Sequence, residues 1–429
     1  MKTKTFPFWP LIRAVLLAVI VSFYLFPIGF HGLPESLNTK QMLAAFGAVL
    51  FVLRSAAKAG MGFNLKYFIS FIYAVAFSIW CYFSCTFNNT SDYAYATYFL
   101  SFFVWISGAY AVISFLRAAY GRVTLSILTQ FIAIVCIAQG VIAVLVDNIP
   151  SLASFVDTWI IQDTVPKQVK RLYGIGCSLD SGGVRMCMAE VLIAHQLVTD
   201  RSLAHNRKMI VLYASAFIAI VILGNMIART TTVGLILAIV YYIFYVNRIR
   251  RGRISRRQMS VKRLVFLIVV VAFIGATYLY NTNDDFHHNI RFAFEGFFNL
   301  LETGEFRTSS TDTLNERMWV WPWNLHGWVY GYGLFEWKYW YDLDMQTDIG
   351  YCRFTLYCGL VGLVLFSLYF IYNASIVARK FKDARVFSLV LLALTFVIWI
   401  KVSTDIFQLY ALLFCLPDDY GDEEKMLET

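Results

Sequence analysis

The chain has 429 residues, of which 59% are hydrophobic, 17% aromatic and 15% charged, and its mean hydropathy is +0.62. Soluble domains run nearer half apolar and a quarter charged, so this composition excludes a fully water-covered globule and requires lipid over part of the surface. The net charge of +9 does not indicate nucleic-acid binding, because the basic residues cluster in short connections between apolar runs, the positive-inside pattern of membrane proteins.

A span needs about 20 predominantly apolar residues. In chain order the runs that qualify or nearly so are 8–28, 39–53, 65–85, 96–116, 125–146, 183–199, 209–227, 231–246, 264–280, 351–373, 386–401 and 404–417. They predict an all-α, polytopic integral membrane protein, a single transmembrane domain over 1–429 with roughly twelve helices. The run from Phe8 to Phe30 follows Lys2 and Lys4 and lacks a small-residue cleavage site, so it reads as a retained helix rather than a removed signal peptide. Runs 39–53, 183–199 and 404–417 are short or carry polar residues. Basic connections hold Arg54, Lys58 and Lys66; Arg117 and Arg122; Arg201, Arg207 and Lys208; Asn247 to Arg263; and Arg379, Lys380, Lys382 and Arg385. With the N-terminus inside, twelve crossings put all of them in the cytoplasm.

The opposite side then holds two long loops, 147–182 and 281–350, and long ordered loops usually carry function. In the second, Phe286, Ile290, Phe294, Phe297 and Leu301 recur at helical spacing opposite His287, Arg291, Glu295 and Glu302. This predicts one amphipathic helix from Phe286 to Phe306, either lying in the membrane interface or packed on the bundle as a lid. The eight cysteines form no C-x-x-C pair and read as small membrane-core residues, except Cys177, which falls in a polar loop. No His/Cys cluster has zinc spacing. The acidic stretch Asp418 to Glu424 reads as a solvated tail.

Positive charges on the translocated side run against the topological bias, so each needs a reason. They are Lys167, Lys170, Arg171 and Arg185, then Arg229, then Arg291, Arg307, Arg317 and Lys338. Arg229 stands in the tight turn Ala228-Arg229-Thr230-Thr231-Thr232. An arginine at the membrane is costly and marks a functional site unless it only snorkels to helix-end carbonyls. Its planar fork of donors suits phosphate or carboxylate oxygens. Around Arg171 and Arg185, Gly174, Gly176, Gly182 and Gly183 would let backbone amides approach an anion that the arginines clamp. The second loop contains Asn315-Glu316-Arg317-Met-Trp-Val-Trp-Pro-Trp, His326-Gly327, Gly331-Tyr-Gly333 and Asp348-Ile-Gly350-Tyr351. Trp319, Trp321, Trp323, Trp328, Trp337 and Trp340 suit an interfacial belt, and one or two could stack on sugar rings. Candidate general bases are Asp180, Glu316, Asp342, Asp344 and Asp348, with His287, His288 and His326 as neutral-pH alternatives. Asp348 stands out because it immediately precedes a span.

These landmarks resemble the O-antigen polymerase and O-antigen ligase superfamily of bacterial envelope glycosyltransferases. The resemblance is carried by the arginine before a span in Ala228-Arg229-Thr230-Thr231-Thr232-Val-Gly and by Asn315-Glu316-Arg317-Met-Trp-Val-Trp, similar to the family's arginine followed by a tryptophan-rich helix. It is also carried by Gly331-Tyr-Gly333-Leu-Phe and by Thr347-Asp348-Ile-Gly350-Tyr351 followed by Leu356-Tyr-Cys-Gly359-Leu-Val-Gly362-Leu. It covers the chain best from Arg171 onward; the first four spans carry no family motif. Ligases have a histidine where this chain has Asp348-Ile349-Gly350, which favours polymerase.

The resemblance implies a donor glycan on undecaprenyl pyrophosphate and an acceptor sugar at the non-reducing end of another lipid-linked repeat, joined at the periplasmic face of the bacterial inner membrane. Arg229 and Arg317, helped by Arg171 and Arg185, would bind the pyrophosphate. Gly182, Arg291, His326 and Gly333 would complete the substrate surface, and Asp348 or Glu316 would deprotonate the acceptor hydroxyl with inversion, without a metal or other cofactor. Expected partners are the lipid-linked oligosaccharide and membrane lipid, with a chain-length regulator protein left open and no nucleic acid. Rival readings are a ligase using lipid A–core as acceptor, a flippase for lipid-linked sugars, and a non-catalytic scaffold.

Overall fold

Apolar runs lacking internal proline form helices in the computed structural model, which describes residues 8–34, 37–57, 65–161, 171–199, 206–249, 267, 270–271, 274–305, 307–336, 340, 345–381 and 384–417. Lys167, Lys170, Lys338, Asp342, Asp344, Trp337, most of the basic connection 247–263 and the acidic tail lie outside the described residues.

The first helices are α1 (Phe8–Leu25), α2 (Thr39–Ala57), α3 (Leu65–Phe87), α4 (Tyr98–Tyr120), α5 (Leu125–Asn148) and the short α6 (Pro150–Trp159). They are followed by α7 (Leu179–Thr199), α8 (Arg207–Ile227) and α9 (Thr231–Ile249). The second long loop holds α10 (Asp284–Ala293), α11 (Glu295–Thr303), α12 (Ser309–Arg317) and α13 (Leu325–Tyr330), and the chain returns through α14 (Gly350–Lys380), α15 (Arg385–Ile398) and α16 (Phe407–Cys415). Two-residue strands Gly29–Phe30 and Ile160–Ile161 pair antiparallel and tie the first connection to the loop after α6. By length and composition α2, α3, α4, α5, α8 and α14 can cross a membrane, while α1, α9 and α15 contain shorter apolar helices. The protein is therefore an all-α protein with membrane-type helices.

The run 183–199 turns out to be the central helix. Every residue of α7 from Gly182 to Gln196 is buried except Arg185, because α5, α8, α9 and α15 surround it. A helix enclosed by other helices need not present apolar residues to lipid, which explains its polar composition. Cys177, read as a polar-loop residue, is fully buried beside Gly182.

The expected single amphipathic helix is two. Asn283 caps α10 by accepting from the Phe286 amide at 2.8 Å, and the helix leaves helical geometry at Phe294 (φ −113°, ψ 25°) before α11 ends on left-handed Gly304. The bend lets α10 pack on α8 while α11 keeps Leu301 85% exposed. The tryptophan-rich segment also differs from the family pattern: α12 stops at Arg317, and Trp319 to Trp323 are non-helical. Pro322 lacks an N–H and disfavours helix in the residue before it.

α14 is broken at Gly359 (φ 66°, ψ −177°). A break frees carbonyls that need donors, and the Gly331-Tyr332-Gly333 turn supplies them. Tyr332 N donates to Leu356 O at 2.7 Å and Gly333 N to Tyr357 O at 2.9 Å. Trp80 Nε1 reaches Cys358 O at 2.8 Å and Ser84 Oγ reaches Tyr357 O at 2.9 Å. A Cβ at Gly359 would collide with the Val329 carbonyl, and one at Gly331 with that of Tyr357. Gly359→Ala should destabilise the fold by about 2 kcal/mol or more, since a strained left-handed position costs roughly 1–3 kcal/mol before any collision. Thermal unfolding in detergent measures this, and an unchanged midpoint would contradict the role given to the break.

Candidate functional site

One end of the bundle gathers the polar side chains. Ala228 ends α8 in extended geometry and α9 begins at Thr231, so Arg229 sits at the apex of a tight turn closed by Thr232 N to Arg229 O at 3.0 Å. Its guanidinium lies 4.1 Å from the centroid of Phe292, pairs with the Glu295 carboxylate, and donates to Ser309 Oγ and Ser310 Oγ at 3.4 Å. Among the described residues no helix-end carbonyl accepts from it, so its contacts are not those of a snorkelling arginine. The side chain is 12% exposed, and its Nε is buried with no acceptor among the described residues. Burial, with the neighbouring Arg171, holds its pKa below the usual arginine value against the opposing pull of Glu295. Arg171 lies 5.4 Å from the centroid of the same Phe292 ring, so two cations contact one aromatic ring.

A second group adjoins it. Asp180, in the first turn of α7, pairs with Lys401 Nζ at 3.0 Å and accepts from the Thr230 hydroxyl. Lys401 also donates to Thr230 Oγ1 at 2.8 Å. Burial pushes the Asp180 carboxyl up, but Lys401, Thr230 and Arg171 together outweigh it and hold the group below the usual carboxylate range. The α7 N-terminus favours the same ionised form.

Asp348 stands two residues before α14, and its carboxylate makes no hydrogen bond among the described residues. Its neighbour Thr347 is held by Met318 O at 2.6 Å, which fixes the backbone entering the helix. Burial and repulsion from Asp180 raise the Asp348 pKa, against the opposing pull of Arg353, Lys401 and Arg171. Arg353, one turn into α14, donates to Phe335 O at 3.0 Å and Ser403 Oγ at 3.1 Å and lies 4.0 Å from the Phe335 ring. It is positioned structurally and still acts on Asp348. An unpartnered carboxylate of raised pKa beside fixed cations can accept a proton from a hydroxyl while those cations hold an anion.

The structure does not bring every expected residue here. Arg185 donates to Leu25 O and Ser181 O and lies over Phe26, so it joins α1 to α7. Arg291 pairs with Glu302 at 2.7 Å on the exposed face of the α10–α11 pair. Glu316 and Arg317 end α12 exposed, with no hydrogen bond or ion pair among the described residues. His326 Nε2 meets Asn88 Oδ1 at 2.8 Å and pins the loop to the end of α3. Gly182 packs on Cys177 and Ile227, and Gly333 turns the chain in the left-handed region (φ 65°), where a Cβ would lie 2.6 Å from Thr90 Oγ1.

Sequence reasoning missed Lys401, which the rule used for Arg229 would have found, since it ends the apolar run 386–401 at the end expected to be translocated. It also missed Asp405 and Lys40, which interact electrostatically with each other and with Arg185. Nothing in their spacing announces this; residues 40, 185 and 405 meet only through packing. Sequence reasoning also passed over Glu190, which is buried in the middle of α7. Among the described residues, no group of three His, Cys, Asp or Glu side chains is placed to hold a metal ion.

No family model matches this chain, and no curated protein or solved structure matches it either.

Proposed function

We propose that this chain is a glycosyltransferase of the O-antigen polymerase type in the bacterial inner membrane, with its Arg229 end facing the periplasm. It transfers a glycan from undecaprenyl pyrophosphate to the non-reducing end of another lipid-linked repeat, with inversion and without a metal. The observation that carries the reading is the Arg229–Arg171 pair on Phe292, next to the unpartnered Asp348. With Arg353 counted, Arg171, Arg229, Lys401 and Arg353 face the carboxylates of Asp180, Glu295 and Asp348, and the Arg229 fork already holds a carboxylate, the kind of anion a phosphate oxygen replaces. The pyrophosphate displaces Glu295 and spreads its charge over Arg229, Arg171 and Lys401, while Asp348 accepts the proton of the acceptor hydroxyl.

Deleting the gene and resolving surface polysaccharide on a gel tests the reading. A ladder that collapses to a single repeat supports it, whereas polymer accumulating on its lipid carrier assigns a ligase. Glu295→Gln weakens the competitor for Arg229 and should lower KM for the lipid-linked donor a few-fold, in line with the roughly 1 kcal/mol of a partly exposed ion pair. A raised KM would show that Glu295 binds substrate instead.

A flippase for lipid-linked sugars is the second reading. It is favoured by the broken α14 and by Glu190 inside the bundle, since transporters use discontinuous helices and buried ionisable groups. Transfer of label between lipid-linked repeats in detergent, where no two sides exist, separates it from the polymerase.

A further inference from the structure

Glu190 is fully buried in α7, and neither of its carboxyl oxygens has a hydrogen-bond partner among the described residues. Gly234 of α9 makes room for it: any Cβ there would collide with Glu190 Oε2 and would lie 2.5 Å from the Cys187 Cα. Thr231 Oγ1, one turn earlier on α9, is also buried and unpartnered. Cys187 Sγ reaches Thr230 O at 3.2 Å. Toward the Arg229 end, Asp180 stands in the first turn of α7 and Thr230 in the turn just before α9. Toward the other end, His195 Nδ1 meets the Tyr241 hydroxyl at 2.9 Å, and both residues are buried. A polar seam thus follows α7 from Asp180 to His195, roughly 22 Å at 1.5 Å per residue.

An ionised carboxylate without a partner in such surroundings is so costly that the group takes up a proton instead. No cation pairs with Glu190 among the described residues. The titratable groups around it are Cys187 and His195 on its own helix, Cys136 from α5 and Tyr241 from α9, with Lys401 beyond Cys187. α8 offers Gly224 and the neutral Asn225, whose Oδ1 already accepts from Thr232 at 2.6 Å. The ionisable Arg385 of α15 lies at the opposite end from Lys401.

We propose that the α7–α9 seam is an intramembrane proton-binding site, in which Glu190 takes up and releases the proton and Asp180 and His195 mark its two ends. The ligand is a proton: Glu190 carboxylate plus a proton gives the carboxylic acid, with no other reactant. This goes beyond the glycosyltransferase reading and does not depend on it.

Infrared spectroscopy of the full-length protein in liposomes tests the site. The wild type should show a protonated-carboxyl absorption at neutral pH that shifts in heavy water and disappears on strong alkalinisation. Glu190→Gln should lose that component. Gly234→Ala, which presses a methyl group on the carboxyl, should shift its frequency, so a poorly folding Gln variant does not remove the test. A hydrophobic carbodiimide should modify Glu190 at neutral pH whether or not sodium is present. Identical carboxyl absorption in all three proteins would overturn the proposal, and protection by sodium would overturn it in favour of a monovalent-cation site.

Discussion

Asp348→Asn is expected to lower glycan transfer by about 10²–10⁴-fold, the usual worth of a positioned general base, while leaving folding and donor binding nearly unchanged. The substitution is isosteric and breaks no hydrogen bond, because the Asp348 carboxylate has none among the described residues. It removes only the ability to accept a proton. The base must be ionised to act, so the rate falls as pH drops through its folded-state pKa. Burial and Asp180 set that pKa above the ordinary carboxylate value, so the acid limb should lie above about pH 4, the position for an unperturbed aspartate. Arg171→Gln removes a cation that lowers this pKa and should move the limb to still higher pH. Initial rates against pH with a synthetic undecaprenyl-pyrophosphate-linked repeat measure both effects, and full activity in the Asn variant would rule Asp348 out as the base. Asp180 acts on stability in the opposite sense. Its carboxyl is depressed in the folded state, so its contacts with Lys401 and Thr230 stabilise the fold above the unfolded pKa of about 4. That contribution is lost as pH falls through the folded value.

Arg229→Ala should reduce kcat/KM by about 10²–10³-fold, the cost of removing one preorganised charge donor. Arg229→Lys should recover part of the loss, since a point charge attracts the pyrophosphate but cannot present two parallel donors to it. Arg317→Ala provides the contrast. The resemblance gave both arginines the same role, but Arg317 is exposed at the end of α12 while Arg229 is enclosed by Phe292, Glu295, Ser309 and Ser310. Arg317→Ala should therefore cost well under tenfold, and equal losses in the two variants would mean that α12 moves onto the substrate. Each variant needs a stability control, because Arg229→Ala leaves Glu295 without its partner. Glu295 is 25% exposed and still accepts from Ser309, so that destabilisation should stay near 1 kcal/mol.

The helical class and the order of the apolar runs were legible because lipid imposes length and polarity directly on local sequence. Arg229 was legible for the same reason, as a charge that the membrane penalises unless it has a use. The periodicity of 286–301 correctly indicated helix but not the bend at Phe294, because docking α10 on α8 and exposing α11 are decisions of packing. Gly331, Gly333 and Gly359 were visible as a pattern, yet their purpose was not. Only the folded chain shows that the turn donates its amides to carbonyls released by the break in α14.

The candidate site divides in the same way. Residue type and spacing alone show that cations cluster in the connections between apolar runs. Tertiary structure decided which of them act together. It joined Arg171 and Arg229 through Phe292, Asp180 to Lys401 across more than half the chain, and Asp348 to both groups, while turning Arg185, Arg291 and His326 to other contacts and leaving Arg317 exposed. It also made α7, among the least apolar of the expected spans, the centre of the bundle. Neighbouring helices rather than lipid surround it, so its polar residues answer to contacts far away in sequence.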